Sequence, residues 1–194
     1  MDGELKVALE KFQEAAQIIT AKLPDHLKSQ KECLKVQFPW GVIRPLKSHY
    51  TRWPYLSYER KRTVACTIQL CDINRWHLNV WRIGLTAGTV WEWHCTVPVI
   101  AVCETLCYEY GRQFDLISEG ARFKKAIDTM QSKGVIPAKL RDELHSLREY
   151  RNGIHLYLQG RVEMHGGKPR RYNDAVRALR KLERTLREHH ASNS

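Results

Sequence analysis

Residues 89–110 read TVWEWHCTVPVIAVCETLCYEY. This stretch decides the fold class. Its apolar residues form a nearly continuous run, interrupted by Glu92, Glu104 and Glu109, and it is long enough for a helix rather than a strand. Such a helix is hydrophobic on most faces and must be surrounded by other elements. It also carries Glu104, and no run of 18 or more apolar residues exists anywhere in the chain, so nothing is expected to span a membrane. Pro98 should kink this helix or mark its first turn, and Gly111 follows it as a candidate C-cap.

The flanking segments supply partners of the same kind. Residues 4–22 place Leu5, Leu9, Phe12, Ala16 and Ile19 at threes and fours, and Pro24 is expected to end that helix. From Glu59 to about Ile83 a second helix mixes Val64, Ile68, Cys71 and Ile73 with Trp76, Val80 and Trp81. Beyond the central run, residues 119–131 align Phe123, Ile127 and Met130. Residues 137–152 begin with Pro137 near a first helical position and align Leu140, Leu144, Leu147 and Tyr150. In the last helix, residues 174–188, Asn173 is the expected cap; the stripe is Tyr172, Val176, Leu179, Leu182 and Leu186, and basic residues hold the other faces. Nothing reads as a βαβ unit. The pattern predicts an all-α antiparallel bundle.

Residues 35–58 break this rhythm. Pro39, Gly41, Pro45 and Pro54 exclude a long helix, and aromatics alternate with cations. The segment reads as an irregular arm with two uses. Trp40, His49, Tyr50, Arg52, Trp53, Tyr55 and Tyr58 would stack unpaired bases, with Arg44, Lys47 and Arg52 on phosphates. Alternatively, Trp40 and Trp53 plug an apolar gap or the arm docks a partner protein. The chain is read as residues 1–88, carrying the first helix, the arm and a buried helix on the same bundle, followed by a helical core over residues 89–194.

The 194 residues carry a formal charge of +11, which points to a polyanionic partner without bearing on the fold. The start MDGELKVALEKF is charged and lacks an apolar targeting core, so a cytoplasmic location is expected. The six cysteines then read as reduced thiols, most of them small buried hydrophobes. Their spacing with His94 matches no zinc pattern, and no metal or other cofactor is expected. There is no phosphate-cradling glycine loop, no GxSxG and no HExxH.

What remains is a polar cluster, REYRNGIHLYLQGR, at residues 148–161. Arg148, Arg151, Asn152 and His155 fall at threes and fours and share one helical face. That face is either solvated surface or a site. Cleaving RNA without a metal requires a group that titrates near neutrality, which histidine supplies. It also requires a cation against the charge that builds on phosphoryl oxygens, which suits the arginine fork.

The order of segments CETLCYEYG, RFKKAIDTMQSKGVIPAKL, LHSLREYRNGIHLYL and YNDAVRAL over residues 89–188 resembles the HEPN family, helical domains found in RNases of defence and toxin–antitoxin systems. Family members typically carry an arginine, often followed by asparagine, then four to six residues and a histidine that ends a helix. The resemblance implies an HEPN-like bundle and a homodimer whose two motifs share one metal-independent RNase site, restrained by dimer state or a regulatory protein. Arg151, Asn152 and His155 take the motif's places. Only three residues separate Arg151 from His155, one fewer than usual, whereas six separate Arg148 from His155, so both arginines stand as candidates. Tyr157, Arg161, His165, Lys168, Arg170 and Arg171 would hold the RNA backbone. The alternative is a catalytically silent module that binds a protein or nucleic acid in a larger complex.

Overall fold

A computed structural model describes residues 2–29, 43–80, 84–153 and 170–193. Among these residues every regular element is a helix and there is no strand. They are α1 (Gly3–Ser29), α2 (Lys47–Tyr50), α3 (Tyr58–Val80), α4 (Leu85–Gln113), α5 (Phe123–Ser132), α6 (Ala138–Gly153) and α7 (Arg170–Ser192). The chain divides into two compact units, Met1–Phe38 and Pro39–Ser194.

In the first unit α1 runs to Ser29 instead of stopping before Pro24. Pro24 costs the ladder one donor, and the helix continues past it. Leu5, Leu9, Phe12 and Ile19 sit at the expected helical spacing and are exposed.

The second unit is built around α4, which touches α3, α5, α6 and α7. Its inward residues Cys95, Val99, Ile100, Cys103, Leu106, Cys107 and Tyr110 are buried, as a helix apolar on most faces requires. Pro98 lies inside α4, neither at its first turn nor at its end. Four free cysteines, Cys71, Cys95, Cys103 and Cys107, are buried, and Cys66 is exposed. Burial pushes the Cys71 and Cys95 thiols up to about 12, so they stay protonated and behave as small apolar groups. Cys33 lies outside the described residues.

The helix ends explain the turns. At the end of α4 the Leu116 N–H donates to the Gly111 carbonyl (2.8 Å) and the Asp115 N–H to the Arg112 carbonyl (3.1 Å). That is a Schellman motif, with Asp115 in the left-handed position at φ 50°. Gly111 is therefore a residue of the last turn and not the cap. Ile117 folds back so closely that a Cβ at Gly111 would lie 2.9 Å from its side chain. The end of α5 repeats the motif: Val135 N–H to Met130 carbonyl (2.9 Å), Gly134 N–H to Gln131 carbonyl (3.0 Å), and Gly134 at φ +73°.

Asn173 does not cap α7 either, because the helix starts at Arg170. Glu92 of α4 performs that function from a distance. Its carboxylate accepts the N–H of Arg171 (2.9 Å) and of Tyr172 (3.3 Å). An anion at a helix N-terminus satisfies otherwise unpaired donors and complements the dipole.

The described part of the arm is packed inward. Trp53 is fully buried and its indole N–H donates to Glu183 Oε1 of α7 at 2.9 Å. Tyr55 and His49 are buried, with the His49 ring stacked on Trp53. Trp53 and Tyr55 are thus core residues, out of reach of a nucleic-acid base, whereas Tyr58 is exposed. Trp40 and Trp81 lie outside the described residues. Trp76, Trp91 and Trp93 are only partly buried, so the core is made by aliphatic side chains, thiols and Trp53 more than by the α3 and α4 indoles.

Candidate nucleic-acid interface

The stripe Leu140, Leu144 and Leu147 buries one face of α6 and so directs the neighbouring positions outward. Arg151, one turn from Leu147, reaches the carboxylate of Glu104 on α4 and forms an ion pair with it. Both partners are roughly one-third exposed, at 39% and 34%. Arg148 is better covered, at 22%. Its Nη2 lies 3.2 Å from Glu149, a largely exposed neighbour, and its Nε is buried with no hydrogen-bond partner among the described residues. Asn152 is exposed. His155, Tyr157, Arg161, His165 and Lys168 lie outside the described residues.

Arg170 and Arg171 open α7. Arg170 is exposed, while the Arg171 guanidinium lies 5.7 Å above the Tyr150 ring of α6, a cation–π contact that joins the two helices. Burial pushes the Tyr150 hydroxyl well above its ordinary range, with Glu92 adding and Arg171 opposing, so the ring stays neutral.

Between α6 and α7 runs a groove of about 340 Å³. Lys139, Arg171, Arg177 and Lys181 line it, together with Glu143 and Asp174. Lys181 pairs with Glu143 at 2.6 Å and Arg177 with Asp174, so half of the cations are matched within the groove. Among the described residues the Arg171 guanidinium is held by a ring alone and keeps its hydrogen-bond donors.

One pair was missed in the sequence. His145 Nε2 lies 2.7 Å from Asp128 Oδ1 of α5, one helical turn before Arg148. A histidine oriented by a carboxylate is chemically competent to move protons. Only spacing along α6 signals it, because Asp128 comes from a different helix. Glu104, Glu92 and Tyr150 were missed for the same reason: each acts on a residue far away in sequence.

The described residues thus bring Arg148, Arg151 and Asn152 to the last two turns of α6, and set Arg170 and Arg171 at the start of the neighbouring helix. They supply cations and hydrogen-bond donors for phosphate oxygens. Among them no group of three His, Cys, Asp or Glu side chains gathers as a metal site. No helix among them is long and apolar enough to cross a membrane. No protein-family model matches the chain, and no curated protein or solved structure matches it either.

Proposed function

We propose that this protein is a metal-independent endoribonuclease of the HEPN type, acting in the cytoplasm as a defence or toxin–antitoxin effector. In this reading two chains pair so that the ends of both α6 helices form one composite site, and a regulatory protein restrains it. The observation that carries the proposal is the convergence of cations at the α6–α7 edge. Arg148 and Arg151 lie in the last two turns of α6, Arg170 and Arg171 begin α7, and a groove lined by Arg171 with further lysine and arginine side chains runs between the two helices.

Within this reading Arg148 is the charge-stabilising cation and His155 the proton carrier. Arg148 satisfies the spacing to His155, and its Nε has no partner among the described residues. Arg151 is instead committed to Glu104 and acts by fixing the end of α6 against α4. The 2′-hydroxyl of the substrate would attack the adjacent phosphorus as His155 takes its proton. The P–O5′ bond would break, leaving a 2′,3′-cyclic phosphate, and the departing 5′-oxygen would take a proton back from the imidazolium or from water, while Arg148 would donate to the non-bridging oxygens. Asn152, exposed on the same turn, would orient the phosphate or His155.

The Arg151–Glu104 pair also favours a second reading, a silent HEPN-like module that docks a protein or nucleic acid, since it neutralises one arginine of the motif. Incubating RNA with the purified protein in EDTA distinguishes the two. Cleavage that disappears in His155→Ala, with helical content unchanged, supports the enzyme.

A further inference from the structure

A second concentration of arginine lies apart from the α6 motif, where α3 and α7 meet the segment around α2. Arg44 precedes α2 and Arg52 follows it; Arg75 comes from α3 and Arg180 from α7. All four line one cleft, together with the carboxylates of Asp72 and Glu183. Four guanidiniums face two carboxylates, so two positive charges are left over.

The two pairs of arginines have different duties. Arg44 grips the buried Asp72 with its fork: Nε to Oδ2 at 2.9 Å and Nη2 to Oδ1 at 2.6 Å. Its backbone is fixed as well, because the Arg44 N–H also donates to Asp72 Oδ2 and the Gln69 side chain donates to the Arg44 carbonyl at 2.9 Å. Arg52 stands 3.8 Å from Glu183, whose other oxygen accepts the Trp53 N–H. The carboxylates therefore pin the arm's arginines to the cleft wall. Arg75 and Arg180 are exposed at the mouth, and their guanidiniums have no ion pair or hydrogen bond among the described residues.

The floor is apolar, from Ile68, Val99 and Leu179. An apolar floor lowers the local dielectric and strengthens each charge facing the cleft. The space is small. Its volume of about 40 Å³ is room for about three waters at about 10–15 Å³ each. That suits one tetrahedral oxyanion and excludes a base or a sugar, which would have to project from the mouth.

We propose that this cleft binds a phosphate dianion, either free inorganic phosphate or the terminal phosphate of an ester, between Arg75 and Arg180 at the mouth and the pinned Arg44 and Arg52 behind. The excess of two charges matches the dianion, and two of the four forks are oriented before it arrives. The site stands independently of the ribonuclease reading, since it uses none of those residues.

The test is isothermal titration calorimetry of the full chain, near pH 7.5 and at about 150 mM salt so that non-specific attraction is screened. The probes are inorganic phosphate and a 5′-phosphorylated dinucleotide. Two double variants are compared: Arg75→Gln with Arg180→Gln, and Lys139→Gln with Arg171→Gln in the α6–α7 groove. All four side chains lie at the surface, so helical content should not change. The expected result is saturable one-to-one phosphate binding, weakened at least about tenfold in the cleft double variant and less than about twofold in the groove variant. Equal affinity for the two probes identifies the free anion as the ligand. Tighter binding of the dinucleotide, still lost with Arg75 and Arg180, identifies a terminal phosphate. The proposal is overturned if phosphate does not saturate by about 10 mM. It is also overturned if the cleft variant binds as the wild type does, or if both variants lose the same amount.

Discussion

At the scale of single residues, two buried titratable groups make stability depend on pH in opposite senses. His49 is only 1% exposed, and Arg52 Nη1 approaches its Nδ1 at 3.5 Å. Burial first, and then the charges of Arg44 and Arg52, lower its pKa below 6.5. The folded state favours the neutral ring, so its contribution is full above 6.5 and falls as the pH drops below it. His49→Phe keeps a ring against Trp53 and removes that dependence. Urea melts at pH 7 and pH 5 should show a smaller loss of stability on acidification for the variant than for the wild type. Glu183 behaves oppositely. Burial raises its pKa above 4.5, against the pull of Arg52 and the Trp53 N–H. Its contribution is full below 4.5 and is lost as the pH rises through the folded value. Glu183→Gln keeps an acceptor for Trp53, so wild-type stability relative to this variant should decline as pH rises from about 4 to 7.

The same scale separates the two arginines of the α6 motif. On the ribonuclease reading proposed above, Arg148→Ala should lower the rate of RNA cleavage by about 10²–10³-fold, the usual loss when one donor to a developing oxyanion is removed. Arg151→Ala should instead act mainly on stability, since it leaves Glu104 without its partner, and the cleavage rate should fall far less. Single-turnover rates set beside thermal melts of both variants distinguish the two roles.

At the scale of elements, the helix ends carry a prediction. Asp115 occupies a left-handed position that glycine adopts without strain. Asp115→Gly should therefore stabilise the protein by about 1 kcal/mol, measured by denaturant titration. The periodic stripes were legible in the sequence: Phe123, Ile127 and Met130, then Leu140, Leu144 and Leu147, then Leu179, Leu182 and Leu186 are all buried. Spacing along one helix reports which residues share a face, because it depends on that helix alone. In α1 the same spacing leaves Leu5, Leu9, Phe12 and Ile19 exposed, so a shared apolar face is not by itself a buried one. Caps were less legible. The α7 N-terminus is satisfied by Glu92, a residue of another helix, and no local motif could announce that. The α4 cap was misplaced because glycine favours a cap position, and here Gly111 is required by the return of Ile117 instead. The arm's aromatics were ambiguous because a tryptophan that stacks on a base and one that seals a core look alike until a partner such as Glu183 is located.

At the scale of the whole molecule, charge is the property that bears on partners. A formal charge of +11 draws polyanions without choosing among them. The structure divides that charge into local environments: the α6–α7 groove, where Arg171 keeps its donors, and the cleft of Arg44, Arg52, Arg75 and Arg180. On the ribonuclease reading, a single-stranded RNA held by about four cations of the α6–α7 edge, Arg148, Arg170, Arg171 and Lys139, should lose roughly 10- to 100-fold in affinity between about 50 and 200 mM salt. Filter binding across that range measures the slope, and Lys139→Gln with Arg171→Gln should reduce it. The placement of Arg148, Arg151 and Asn152 on one helix was legible from their spacing, whereas His155 lies outside the described residues. The motif's balance of charge was not legible, because Glu104 is 47 positions away from Arg151.

The most direct test of the ribonuclease account is a cleavage assay in EDTA on several RNAs, with wild type, Arg148→Ala and His155→Ala at matched helical content and oligomeric state. The account predicts that the wild type cuts without metal, that His155→Ala does not cut, and that Arg148→Ala is severely slowed. Intact RNA with the wild type, or undiminished cleavage by His155→Ala, would contradict it.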